Sequence, residues 1–129
     1  NNKKFLGITL IQRKNPPLGL ALPGGFVDIG ETTQEALLRE MKEEISLDVK
    51  IKSLLGVYSD PKRDKRFHTV SVVYVAQAIG TPVGADDAKE AKIYPLDSLE
   101  FNKLVFDHSK ILKDYIESTD FNVNLPKFL

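Results

Sequence analysis

Apolar residues along this chain gather in short runs whose spacing changes from one run to the next. Phe5 to Ile11 (FLGITLI) is rich in β-branched and large apolar side chains, which predicts a β-strand. The NNKK before it reads as a hairpin turn lacking its first strand, so the natural chain is expected to begin earlier. Arg13 to Gly19 carries a proline pair and a glycine and predicts a loop; LALPGGFVD then predicts a short strand entering a glycine turn. From Thr32 or Thr33 to about Ile45 the apolar period lengthens to that of a helix, and Thr32 followed by Glu35 has capping-box spacing. Ser46 and the β-branched residues after it end that helix.

Two further strands are predicted, Val49 to Tyr58 and Thr69 to Ala78, on either side of the polar loop SDPKRDKRFH. GTPVGADDAKEA predicts a second polar loop, KIYPLDSL a short strand or turn, and Leu104 to Ile116 a closing amphipathic helix. FNVNLPKFL at the end matches no single element. Strands and helices are mixed, with hairpins favoured over regular βαβ repeats. The predicted class is α+β (mixed α/β), one domain over residues 1–129.

Composition narrows the function classes. Eighteen basic and eighteen acidic residues cancel, so no global field draws the chain to nucleic acid or an anionic membrane. Any anion must be bound locally. The absence of cysteine excludes a thiol nucleophile, a zinc–thiolate centre and a disulfide framework, and suits the cytoplasm. No apolar run approaches the length of a membrane span.

Charge within the first helix is less even. On a wheel of roughly 100° per residue, Glu43 and Glu44 flank Glu40, beside a core stripe of Leu37, Leu38, Met41 and Ile45. Like charges one turn apart cost on the order of 0.2–0.5 kcal/mol per pair, and the only basic neighbours are Arg39 and Lys42. Three glutamates alone are more often a solvated face. A divalent cation among them would explain the clustering, and oxygen donors without cysteine suit Mg²⁺ or Mn²⁺. Gly24 and Gly25 just upstream let the backbone approach a ligand closely, although alone they would signal only a turn.

The combined spacing resembles the Nudix box. Gly25 is followed after five residues by Glu31, then after seven by Arg39-Glu40; Met41 takes the aliphatic place, Glu43-Glu44 follow, and Leu47 closes the pattern. Ser46 stands where the family has glycine, a departure that bears on the end of the helix and not on the carboxylates. LIQRKNPP, LPGGFVD and FDHSKIL are also similar to the family, so the resemblance covers most of the chain. It implies an α/β/α sandwich with a mixed sheet between helices. It also implies an enzyme that uses Mg²⁺ and water to cut the pyrophosphate of a nucleoside diphosphate linked to another group.

Carried over position by position, the resemblance makes Glu40 and Glu44 the principal metal ligands, with Glu43 sharing the task and the Gly25 carbonyl completing the shell. Arg39 and Glu31 would orient the glutamates. The general base would be Glu40 or an acidic residue from a distant loop; Glu90 is the matching candidate, as base or as a further metal ligand, and Asp86 and Asp87 are weaker ones, with an exposed acidic turn the plainer alternative.

Pro61, fifteen residues beyond Ser46, resembles a marker of the ADP-ribose pyrophosphatase branch. Arg63-Asp64-Lys65-Arg66-Phe67-His68 departs from that branch's run at Lys65 and Phe67. Arg63 and Arg66, with Arg13 at the end of the first strand, are candidate contacts for a phosphate or ribose edge. Phe67 or His68 could stack on a base, or Phe67 could pack on the sheet. His108 is expected to be structural. The leading expectation is hydrolysis of ADP-ribose to AMP and ribose 5-phosphate; the alternatives are a house-cleaning nucleoside triphosphate pyrophosphohydrolase and a non-catalytic domain that senses a nucleotide sugar. The ADP-ribose branch implies a homodimer.

Overall fold

A computed structural model describes residues 5–120, with no account of the side chains of residues 119 and 120. In chain order the elements are β1 (Ile8–Arg13), β2 (Leu20–Ala21), α1 (Thr33–Ile45), β3 (Val49–Tyr58), β4 (Ser71–Ala78), β5 (Ala88–Tyr94) and α2 (His108–Asp120). Short 3-10 turns at Leu96–Ser98 and Phe101–Lys103 join β5 to α2. The hairpin expected in NNKK and the ambiguous FNVNLPKFL lie outside the described residues.

The α+β class holds, but the strands form two antiparallel sheets, β2-β1-β5 and β3-β4. The parallel element described is one bridge, Leu20 to Leu104. The first strand starts later than expected, at Ile8, because Gly7 turns with φ +151 directly over the Tyr94 carbonyl, where a Cβ would collide. It also runs on through Arg13, which pairs with Ala88. The closing helix starts at His108, four residues beyond the expected Leu104, since Leu104 bridges to Leu20 and the left-handed Phe106 (φ 57) sits in the turn that follows.

The core lies where α1 meets the β2-β1-β5 sheet: Ile11, Ala21, Met41, Ile45, Leu47, Ala88 and Ala91 form one buried cluster, with Leu37, Val49 and Val105 packed against it. Alternation along the strands explains which residues turn inward; Leu10 and Ile11 of β1 are buried together because the two faces of that sheet are both covered there. The wheel errs in two places. Leu38 is exposed, and Glu44, expected off the core face, is 3% exposed, buried between Met41 and Ile45. A carboxylate buried at that depth needs a compensating partner.

Candidate active site on the glutamate helix

Helix α1 begins as its sequence predicts. Thr32 caps it, its hydroxyl accepting from the Glu35 N–H at 3.1 Å while the Glu35 carboxylate accepts from the Thr32 N–H at 2.8 Å. At the other end Ser46 takes the left-handed conformation that glycine usually supplies (φ 62, ψ 31). Its hydroxyl donates to the Val83 carbonyl at 3.0 Å. The neighbouring amides of Val83 and Ala85 donate to the carbonyls of Ile45 and Glu44, at 2.9 and 3.0 Å. The left-handed serine thus ends the helix and clasps the segment leading to Asp86 and Asp87.

The Gly24-Gly25 turn lies against the carboxylates. The Gly24 N–H donates to Glu44 Oε1 at 2.7 Å, the partner that the buried carboxylate requires. A Cβ on Gly25 would overlap the Glu40 carboxylate, so only glycine permits this approach. His108 anchors the same turn from behind: its Nδ1 accepts from the Leu22 N–H at 2.9 Å. The expected structural role of His108 is the one it has. Its burial holds the imidazole at a pKa of about 4 against an ordinary 6.5, with Arg63 and Arg13 opposing protonation and Asp107 favouring it.

Arg39 is the hub of the exposed side. It makes a two-pronged pair with Glu31 (2.7 and 2.9 Å), reaches Glu40 and Glu43 at 3.1 Å each, and donates to the Phe26 carbonyl at 3.0 Å. Glu31 also accepts from the Asp28 N–H at 2.8 Å. Hydrogen bonds from Arg39 and then from Asp28 hold the Glu31 carboxyl below its ordinary pKa. Glu40 moves the other way, raised chiefly by burial and secondarily by Glu43 and Asp87, with Arg39 opposing. Burial pushes Glu44 up to about 7; the Gly24 hydrogen bond opposes this, and the charges of Glu40 and Asp87 add to it.

Among the remaining candidates, the charge of Asp87 is felt at both Glu40 and Glu44. Glu90 is not in a loop: it lies in β5 opposite Gln12, is exposed and pairs with Lys92 at 3.4 Å. β5 begins at Ala88 because the alanines at 88 and 91 enter the core. Arg63 faces inward, its side chain 5% exposed, in a two-pronged pair with Asp107 (2.9 Å for both bonds) and donating to Thr69 and Ser71. Its charge is engaged in joining the 61–70 loop to the start of α2. Pro61 sits exposed in a turn organised by Asp60, whose side chain accepts from the Lys62 N–H. His68 contacts the Ser59 carbonyl at 2.9 Å and stays exposed.

Arg13 and Arg66 converge on a residue that sequence reasoning passed over, Phe106, with guanidinium carbons 5.1 and 5.2 Å from its ring centre. Arg66 also lies 5.1 Å from the centre of the exposed Phe67 ring. The only signal available was the FDHSKIL stretch, which does not reveal a left-handed phenylalanine.

The oxygen donors of Glu40, Glu43, Glu44 and the Gly25 backbone suit a hard divalent cation, and burial of Glu44 beside like charges gives such an ion something to neutralise. As placed, no three acidic or histidine side chains among the described residues form a closed metal cage; the Arg39 guanidinium stands between Glu40 and Glu43. No described helix is long and apolar enough to cross a membrane.

The family profile for the NUDIX domain matches residues 1–115. An ADP-ribose pyrophosphatase from Methanocaldococcus jannaschii is 55% identical over 112 residues, covering 84% of this chain and 65% of that protein. Among solved structures, a MutT/nudix family protein from Enterococcus faecalis superposes with a TM-score of 0.74 at 30% identity, over 94% of this chain and 58% of that one. A bifunctional NMN adenylyltransferase/ADP ribose pyrophosphatase from Francisella tularensis, complexed with AMP and a manganese ion, superposes at 0.73 with 29% identity, over 90% of this chain and 39% of that one. The chain therefore spans less than two thirds of the length of each of these relatives.

Proposed function

This chain belongs to the Nudix family, and we propose that it hydrolyses the pyrophosphate bond of a nucleoside diphosphate linked to another group, with ADP-ribose giving AMP and ribose 5-phosphate as its principal reaction. The observation that carries this reading is the buried Glu44 carboxylate beside Glu40, both reached by the Gly24-Gly25 backbone. The substrate assignment is supported by the 55% identity to an ADP-ribose pyrophosphatase.

Glu40, Glu43, Glu44 and the Gly25 carbonyl would hold the divalent cation, which we take to be Mg²⁺, with Mn²⁺ able to replace it. Bound there, it would neutralise the diphosphate and lower the pKa of the attacking water. The chain's own residues do the rest. Gly24 holds Glu44 in place, and Arg39, braced by Glu31 and the Phe26 carbonyl, orients Glu40 and Glu43. Glu40 keeps Oε1 free of hydrogen-bond partners among the described residues and is the group we assign to accept the proton of the attacking water. Asp87 is the second candidate, ahead of Glu90, because its charge reaches both glutamates. Arg13 and Arg66 are assigned to the phosphates and Phe67 to the rim beside them. Arg63 and Pro61 act indirectly, by shaping the loop that carries Arg66. We place the reaction in the cytoplasm and assign a homodimer as the working form.

Product analysis with ADP-ribose and a panel of nucleoside triphosphates, with Mg²⁺ and separately Mn²⁺, tests this. The expected result is AMP and ribose 5-phosphate in equal amounts. Turnover of triphosphates alone would instead favour the house-cleaning alternative and remove ADP-ribose from the proposal.

A further inference from the structure

Phe106 is a large aromatic residue held at φ 57, a conformation in which a bulky L-residue is a true outlier. Strain of this kind persists where surrounding structure imposes it, and it concentrates at functional positions. What the ring does there is visible in its neighbours. Arg13 and Arg66, from β1 and from the loop after β3, both lie over it, at 5.1 and 5.2 Å from its centre. Two guanidinium groups repel one another, and the negative face of an aromatic ring is a surface that attracts both.

The two arginines are clamped alike. Arg13 donates through Nε to the carbonyls of Asn15 and Pro17 and through Nη2 to that of Pro16. Arg66 donates through Nε and Nη2 to the two oxygens of the buried Asp64 carboxylate, at 3.1 and 2.9 Å. In each case Nη1 has no hydrogen-bond partner among the described residues. Two guanidiniums immobilised along one edge, each with an open donor group on the other, form a receptor for anionic oxygens. The Arg13 charge is felt at Glu44 of the carboxylate helix.

We propose that Phe106 is a positioning residue for substrate binding: its ring, held in a left-handed backbone, gathers Arg13 and Arg66 about itself so that their open edges receive the phosphates of a nucleoside diphosphate. The proposal rests on the reading of the site as one that takes such a substrate. Phe106 itself performs no chemistry, so its removal weakens binding and leaves the chemical step in place.

The test compares Phe106→Leu, Phe106→Gly and Phe106→Tyr with the wild type. Glycine suits φ 57 and relieves the backbone while deleting the ring; leucine keeps the strain and deletes the ring; tyrosine keeps both. KM and kcat are measured on whichever substrate the wild type turns over, and binding of ADP is titrated by calorimetry in EDTA. Losing the ring under two cations is expected to raise KM and the ADP dissociation constant about tenfold in the leucine and glycine variants, with kcat within about twofold. Tyrosine restores wild-type values, and the glycine variant melts no lower than the leucine one. Unchanged ADP affinity in both ring-deleted variants, or a fall confined to kcat, overturns the proposal. If the wild type cleaves triphosphates and not ADP-ribose, the substrate assignment fails, and the ADP titration still decides the role of Phe106.

Discussion

Gly25 shows how little room the site allows. Any side chain there would occupy the space of the Glu40 carboxylate. Gly25→Ala is therefore expected to lower kcat/KM by about 100-fold, the scale of losing one well-placed charged group, because Glu40 must move. Steady-state kinetics with Mg²⁺ checks this, and a loss below threefold would show that the Gly25–Glu40 contact does not matter. The identities of these residues were legible in the sequence, since their spacing alone drew Gly25, Glu31, Arg39, Glu40, Glu43 and Glu44 into one group, and the structure does place them together around Arg39 and the glycine turn. Three things were not legible. Glu44 is buried and bonded by chain outside the helix, the Gly24 and Ala85 amides among it, which a helical wheel does not contain. The inward turn of Arg63 depends on Asp107, 44 residues away. The pairing of Arg13 and Arg66 over Phe106 joins three separated segments of chain, and no local pattern encodes it.

At the scale of elements, α1 is specified mainly by its own sequence. Thr32 and Glu35 cap it from within, which is why its start could be read directly. Its end also falls where expected, at Ile45, but the way it ends was not legible: Ser46 adopts a conformation that favours glycine and is held there by Val83, from a segment 37 residues on. Substitutions at Ser46 separate the two contributions. Ser46→Ala loses the hydrogen bond and keeps the strain, and is expected to cost on the order of 1 kcal/mol. Ser46→Gly loses the same bond but relieves the left-handed backbone, recovering about 1 kcal/mol relative to alanine. Urea unfolding of the three proteins checks the order: wild type and glycine close together, alanine lowest. Alanine equal to glycine would mean that the backbone at 46 carries no strain. The same distinction explains β5, where alanines drawn into the core extended a strand into what reads as polar loop.

Across the whole molecule, α1 and α2 are both tied to one stretch of backbone, Glu44 of α1 accepting from the Gly24 N–H and His108 of α2 from the Leu22 N–H. His108 makes that joint sensitive to pH. Its folded-state pKa of about 4 lies below the 6.5 of a free imidazole, so protonation favours the unfolded chain. The stability it contributes is complete above about pH 6.5 and is lost as pH falls toward 4. His108→Asn, which keeps an acceptor for the Leu22 amide but does not titrate in this range, should lose less stability over that window. The expected difference is on the order of 2 kcal/mol, given that the ring is not wholly enclosed. Parallel pH profiles for the two proteins would contradict the assignment.

The central claim is that buried and clustered carboxylates on α1 are a catalytic device with a cost to the fold. Glu44→Gln separates these directly. A neutral side chain at 44 retains an acceptor for Gly24 and removes a buried charge that Glu40 and Asp87 oppose. The decisive measurement is kcat/KM of Glu44→Gln on ADP-ribose with Mg²⁺, alongside its melting temperature without divalent ions. Turnover is expected to fall by about 100-fold or more, with a melting temperature at or above that of the wild type; near-normal turnover in a folded variant would contradict a metal-holding role for Glu44.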